Sequence, residues 1–141
     1  MNYNNLREKF LANQPVLLDG AIGTEVMRRG VRWRQHGIED APDVIRNIHI
    51  DYIKAGADIL TTHTFNLTKR NFINFFRDEE HMALIGASGL PARADKLCRS
   101  AVSLAKEALK ETGKIETVPL AGSISPVMHI FRPDLSPPED D

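Results

Sequence analysis

The sequence holds one cysteine, Cys98, so no intrachain disulfide framework staples the fold. No apolar run approaches the roughly 20 residues that span a bilayer. Excess charge of one sign is also missing: 18 Lys and Arg stand against 19 Asp and Glu, for a formal net charge of -1. No basic run carries interleaved aromatics, so neither nucleic acid nor an anionic membrane is an expected partner. The first ten residues, Met1 to Phe10, lack the apolar centre of a secretory signal. No Gly-x-Gly-x-x-Gly follows the first apolar run, and there is no Walker phosphate loop, which disfavours a nucleotide-binding fold. Together these absences favour a soluble, cytoplasmic protein.

What is present is a globular composition, 42% hydrophobic and 26% charged over 141 residues, enough for one ordinary domain with a real core. Three stretches share one design. In Ala55 to Phe65 a glycine turn at Gly56 leads into the apolar Ile59-Leu60, which gives way to Thr61-Thr62-His63-Thr64-Phe65. In Pro15 to Thr24 the run Val16-Leu17-Leu18 stops at Asp19-Gly20, with Gly23 close behind. In Thr117 to Pro126 the switch comes at Gly122-Ser123. Apolar strands that end in small polar residues deliver side chains to a site at their carboxyl ends. Three such ends point to one shared site.

Residues 4–12 read as a short amphipathic helix with Leu6, Phe10 and Leu11 on one side. Val16 to Leu18 read as a strand buried on both faces. A helix is predicted from Ile22 to Arg29, stopped by Gly30, with Thr24 either capping it or facing a ligand. Residues 31–41 read as irregular, either a surface loop with Trp33 folded back on the core or a lid. The next helix is the best marked, with Pro42 and Asp43 near its start and Gly56 past its end. Val44, Ile45, Ile48, Tyr52 and Ile53 form its buried stripe, and His49 beside them reads as a packed, hydrogen-bonded residue. After a strand from Asp58 to Thr62, residues 66–76 read as a short helix or ordered loop over the site, its phenylalanines in the core. Residues 77–90 are mixed, broken by Gly86 and Gly89. A long helix from Pro91 to Lys110 carries an apolar face of Ala94, Leu97, Cys98, Ala101, Leu104, Ala105 and Ala108. Gly113 closes it, and Ile115 to Ser123 give the third strand. Strands alternating with helices imply an α/β protein with a parallel sheet and right-handed crossovers. The proline-rich, acidic stretch from Phe131 to Asp141 reads as a connection rather than an element.

Leu17-Leu18-Asp19-Gly20-Ala21-Ile22-Gly23-Thr24, the stretch Tyr52 to Phe65, and Ala121-Gly122-Ser123-Ile124-Ser125-Pro126 resemble three successive motifs of the homocysteine S-methyltransferases. The resemblance implies the amino-terminal portion of a (β/α)8 TIM barrel, about three parallel strands with intervening helices. It implies methyl transfer from a small donor to the thiol of homocysteine, giving methionine, at a zinc-dependent site. By the same resemblance Asp19 takes the amino-acid end of homocysteine, a carboxylate suiting an ammonium. The local alternative for Asp19 is a turn or cap residue. Gly20 and Gly23 either let the backbone approach the ligand or serve the turn. By the same resemblance Thr62, Thr64 and Phe65 line the cavity where homocysteine meets the donor; the Phe65 ring either suits a cationic donor or simply packs in the core. Asn66 is placed to hydrogen-bond the donor, and Ser123 to line the site through its side chain or backbone. His63 alternates to the other side of the strand.

Two departures are local: His63 stands where many relatives carry asparagine, and Ser125 where many carry glycine. The larger one is length, since an eight-fold barrel needs about 250 residues. Residues 1–141 therefore read as an incomplete homocysteine-binding barrel domain. The family's zinc cysteines belong to an Asn-Cys and a Gly-Gly-Cys-Cys motif, neither of which occurs here. Cys98 falls among alanines and leucines, and His36, His49, His63, His81 and His129 lie on separate predicted elements. On this reading zinc belongs to the full-length family, no metal ligand lies in this chain, and the chain alone is inactive. An incomplete barrel also exposes apolar surface that favours self-association. The alternatives are a non-catalytic amino-acid-binding module and a half-barrel that needs a partner chain.

Overall fold

The computed structural model describes residues 3–32, 36–75, 78–84 and 87–125. Trp33, Phe76, Gly86, His129 and the proline-rich stretch, all singled out above, lie outside them. Among the described residues, six helices and two short strands follow in the order α1 (Asn4–Leu11), α2 (Ile22–Arg28), α3 (Pro42–Lys54), β1 (Leu60–Thr61), α4 (Lys69–Phe75), α5 (Glu79–Leu84), α6 (Leu90–Glu111) and β2 (Leu120–Ala121).

The strands are parallel. Leu60 pairs with Leu120 and Thr61 with Ala121, while Leu18 forms a single parallel bridge to Ile59 on the other side of β1. The ladder bonds follow: Asp58 N–H to Leu17 O at 2.8 Å, Leu60 N–H to Pro119 O at 3.1 Å, and Thr62 N–H to Ala121 O at 2.8 Å. The three strand regions read from the sequence therefore lie side by side with β1 in the middle. The regular pairing is shorter than expected. Ile115 to Thr117 form a turn instead of strand, because the Lys114 carbonyl captures the N–H groups of both Thr117 and Val118.

The first strand read from the sequence, Val16 to Leu18, is reduced to the Leu18 bridge, and it is not buried on both faces as its composition suggested. Leu17 and Leu18 are 55% and 68% exposed. This strand has β1 on one side and no strand on the other among the described residues, so half of its surroundings are solvent. The apolar side of α1 is likewise open, with Phe10 and Leu11 exposed. A polar contact fixes this helix: the Lys9 ammonium meets the Asp58 carboxylate at 2.6 Å. The other Asp58 oxygen accepts the Leu17 N–H at 3.0 Å. These bonds, the Leu17 amide first and Lys9 second, hold the Asp58 carboxyl below the usual carboxylate range.

Helix α3 packs across α6, and their contact is the centre of the molecule. Ile45, Ile48, Leu97 and Ala101 are wholly or almost wholly buried there. Alanines at 94, 101, 105 and 108 let the helices approach closely, and Leu90 and Leu109 extend the buried face beyond the stripe read from the sequence. Cys98 is only half-buried and donates its thiol to the Leu67 carbonyl at 3.2 Å. Each large side chain buried here contributes about 1.5–3 kcal/mol. Phe72 of α4 is buried as expected, whereas Phe65 is 40% exposed. Within α3, His49 and Ile50 are buried while Val44 and Tyr52 are only partly so. A short helix, α5, stands in the stretch read as mixed. At six residues it is too brief to leave a periodic signal.

Candidate functional site

Asp19 ends the first strand, and its side chain reaches across to β1. One carboxylate oxygen accepts the Thr61 N–H and the other accepts the Thr61 hydroxyl, both at 2.7 Å. The Thr61 amide faces the first strand, and there it meets a side chain instead of a backbone carbonyl. Asp19 thus substitutes for the ladder where the first strand turns away. The two bonds fix the carboxylate's position, and each oxygen keeps a lone pair for a further donor.

The next junction, between β1 and β2, is a closed ring of three hydrogen bonds. The Thr64 hydroxyl donates to the Ser123 carbonyl at 2.7 Å. Its proton is then committed, so across the 2.8 Å Thr62–Thr64 contact the Thr62 hydroxyl is the donor. The Ser123 N–H completes the circuit by donating to Thr62 Oγ1 at 3.2 Å. Ser123 enters this ring through its backbone. Thr62 is only 4% exposed and its hydroxyl proton is spent inside the ring, so it ties strands together instead of presenting a donor to a ligand. Thr62→Val keeps the shape and removes the hydroxyl that Thr64 and Ser123 both use. We expect a loss of about 1–3 kcal/mol in urea unfolding. A change within ±0.5 kcal/mol would show that the ring adds nothing to the strand junction.

Beyond the ring, Asn66 sits at a φ of 63° and donates its N–H to Ser125 Oγ at 2.6 Å. Its Oδ1 accepts Ser125 Oγ at 3.3 Å and Asn71 Nδ2 at 3.0 Å. The Asn66 carbonyl oxygen is therefore occupied in holding the loop before α4. Phe65 presents its half-open ring beside this loop. Sequence reasoning missed Thr61 and Ser125 as participants. Ser125 was noticed as a departure, but nothing in its spacing pointed to Asn66.

The two glycines of the first strand end separate. Gly20 lies in the turn, and a Cβ there would fall 2.6 Å from the Tyr52 hydroxyl and 2.8 Å from its ring. The absent side chain makes room for Tyr52, whose hydroxyl donates to the Ala21 carbonyl at 3.4 Å. Burial comes first among the causes that raise the Tyr52 pKa, so the phenol stays protonated. Gly23 falls within α2. Thr24 is also inside that helix and exposed, and Ala21 occupies the capping position with no side-chain cap.

His63 points into the helical layer, 6% exposed, with Nε2 3.0 Å from the His36 carbonyl. A carbonyl only accepts, so Nε2 carries the proton. His36, read as part of a surface loop, is also buried. The rings meet edge-on, 5.5 Å between centroids, and His36 meets Phe72 in the same way at 5.9 Å. His49 is wholly buried, yet neither ring nitrogen has a hydrogen-bond partner among the described residues, contrary to the hydrogen-bonded reading. Desolvation dominates all three, pushing His36 down to about 3 and both His49 and His63 down to about 4.

No group of three His, Cys, Asp or Glu among the described residues is arranged to hold a metal. Burial raises the Cys98 thiol pKa, which disfavours the thiolate a metal needs. A cleft of about 260 Å³ lies under α1, lined by Lys9, Asp58 and Lys114 among others. It opens at the amino ends of the strands, opposite Asp19 and the threonines. No helix among the described residues is long and apolar enough to cross a membrane.

The sequence matches the model of the homocysteine S-methyltransferase family over residues 16–140. It is 34% identical over 134 residues to the homocysteine S-methyltransferase of Escherichia coli K12, covering 89% of this chain and 40% of that protein. To the homocysteine S-methyltransferase YbgG of Bacillus subtilis it is 32% identical over 107 residues, 72% of this chain and 30% of that one. A selenocysteine methyltransferase of Astragalus bisulcatus is 34% identical over 83 residues, 55% of this chain and 25% of the relative. Among solved structures, the metallated form of the E. coli homocysteine methyltransferase MmuM matches with a TM-score of 0.57 and 30% identity, over 83% of this chain and 40% of that one. The chain thus spans less than half the length of these relatives.

Proposed function

Because the chain belongs to the homocysteine S-methyltransferase family, we propose that its strand ends form the amino-acid-binding side of a homocysteine site, within an enzyme that transfers a methyl group from a small donor to the homocysteine thiol. The two parallel strands and the Leu18 bridge beside them are read as the opening of a (β/α)8 barrel. The observation that carries the proposal is Asp19: a carboxylate at a strand's carboxyl end, oriented by two bonds to Thr61 and still able to accept a donor. Such a group suits the ammonium of an amino acid. Phe65 lies further along the same edge, where an exposed ring suits a cationic methyl donor.

The residues described here hold and orient; they do not activate. A thiol attacks as its thiolate, which forms near neutrality only beside a base, a cation or a metal. The histidines nearest the strand ends are buried and packed against each other, and the described residues do not fit a zinc ion. We therefore assign zinc and thiolate chemistry to parts of the full-length family outside these residues. The test is equilibrium dialysis of residues 1–141 against labelled L-homocysteine under reducing conditions, with a parallel assay for methionine using several methyl donors. The expected result is saturable binding of one homocysteine per chain, no methionine and no stoichiometric zinc. Absence of saturable binding would overturn the site. Turnover with bound zinc would overturn the division of labour.

A further inference from the structure

His36 and His63 are in contact, but they belong to segments with separate anchors. The loop at 36–40 is tied to α6: Glu39 pairs with Arg93 and, at 3.5 Å, with Lys96. Its chain reverses at His36 and Gly37, with φ of 54° and 73°. A Cβ on Gly37 would lie 3.2 Å from Val31 and would have to hold a left-handed φ, so the loop's path is tightly specified. The segment at 62–66 is the end of β1, turned by Asn66 at φ 63°. Two contacts join them: the His63 ring donates to the His36 backbone carbonyl, and the two rings pack edge-on, 5.5 Å between centroids. Phe72 closes the outer side of the His36 ring.

We propose that His36 and His63 are positioning residues, a packed pair of imidazoles that clamps the Thr62–Asn66 turn onto the loop at 36–40 and so sets the strand-end site. Its consequence for ligand binding rests on the homocysteine reading; the clamp itself does not. Geometry supports the pairing, since the His63 ring holds the His36 backbone and the two rings pack edge-on, so neither segment can shift without breaking these contacts. The titratable groups that face one another are His36 from the loop, His63 from the strand end and His49 from α3. The ion pairs of Glu39 lie at the loop's other end. Opening the turn returns the imidazoles to water, where they protonate near their ordinary pKa. Lower pH therefore favours the open turn.

The experiment is amide hydrogen exchange of residues 1–141 by NMR, expressed as protection, at pH 7.5 and 5.5. It is run on the wild type, His63→Leu and His63→Gln. Leucine fills the space and cannot donate. Glutamine places an amide donor near the position of Nε2 and does not titrate. The expected result is at least ten-fold lower protection of residues 62–66 in His63→Leu, with α6 much less affected. His63→Gln should stay within about three-fold of the wild type at pH 7.5 and change less on acidification. Equal loss in both variants, or an unchanged pH response in the glutamine variant, overturns the clamp. Should His63→Leu not fold, imidazole 15N shifts of the wild type decide. A proton on Nε2 of His63 and a midpoint well below 6 support the clamp, whereas the other tautomer or a midpoint near 6.5 overturns it. Homocysteine titration of the same samples separates the two readings: no binding with protection intact sinks the homocysteine site and leaves the clamp standing.

Discussion

Acidification from pH 7.5 to 4.5 is expected to remove roughly 8 kcal/mol of stability, most of it before the carboxylates titrate. The cause is the cluster of His36, His49 and His63, each less than 10% exposed. In the unfolded chain a histidine takes up its proton near pH 6.5. In the folded protein His49 and His63 resist until about 4, and His36 until about 3. Between those values the unfolded state binds more protons than the folded one. The histidines' contribution is therefore fully present above 6.5 and is lost as pH falls through about 4. One pKa unit corresponds to about 1.4 kcal/mol, and about two units separate 6.5 from 4.5, so the three residues together reach roughly 8 kcal/mol. That is comparable with the whole stability of a small domain, about 5–15 kcal/mol. The Asp58 carboxylate acts in the same direction but at lower pH, because its own folded pKa is depressed. The measurement is the urea midpoint at half-unit pH steps. His49→Leu provides the control. An apolar side chain replacing an imidazole without partners should cost little at pH 7.5 and should flatten the acid loss. A flat midpoint between pH 7 and 5 in the wild type would mean that the cluster is hydrated or open in solution.

Asp19→Asn is expected to weaken homocysteine binding by about 30-fold or more while changing stability by only about 1 kcal/mol. The substitution keeps the shape of the side chain: its oxygen still accepts the Thr61 N–H, and its new amide donates to the Thr61 hydroxyl, which turns to accept. Exchanging charge-assisted bonds for neutral ones here costs about 1 kcal/mol. What disappears completely is the negative charge. Removing one partner of a desolvated charged contact costs about 2–5 kcal/mol, and 2 kcal/mol is about 30-fold in the dissociation constant. Calorimetric titration and a melting curve on the same preparation separate the two effects. An unchanged dissociation constant with a lowered melting temperature would leave Asp19 as a tie between strands and nothing more.

The helix boundaries were legible because backbone chemistry marks them. Pro42 begins α3, and glycines at 30, 56 and 113, all at positive φ, end α2, α3 and α6. The polar strand ends were legible too, since each apolar run stops abruptly at Asp19, Thr61 or Gly122. What those ends do to one another was not. Thr61 lies 42 residues from Asp19, and the threonine ring depends on which hydroxyl spends its proton on Ser123. Neither fact has a local signature. The burial of His36 was hidden for a related reason. Its surroundings in sequence are polar and rich in turns, and only the packing of α4 against α6 brings Phe72 over it. Exposure of Leu17 and Leu18 runs the other way: their composition suits a strand covered on both faces, while their place at the sheet edge leaves them in solvent.

The most direct measurement of the central claim is 15N chemical-shift mapping of residues 1–141 during titration with L-homocysteine. The account predicts saturable shifts concentrated at Asp19 to Gly23, Thr61 to Asn66 and Gly122 to Ser125, and their disappearance in Asp19→Asn. Shifts centred instead on the cleft under α1, around Lys9, Gly56 and Lys114, or shifts that persist in Asp19→Asn, would contradict it.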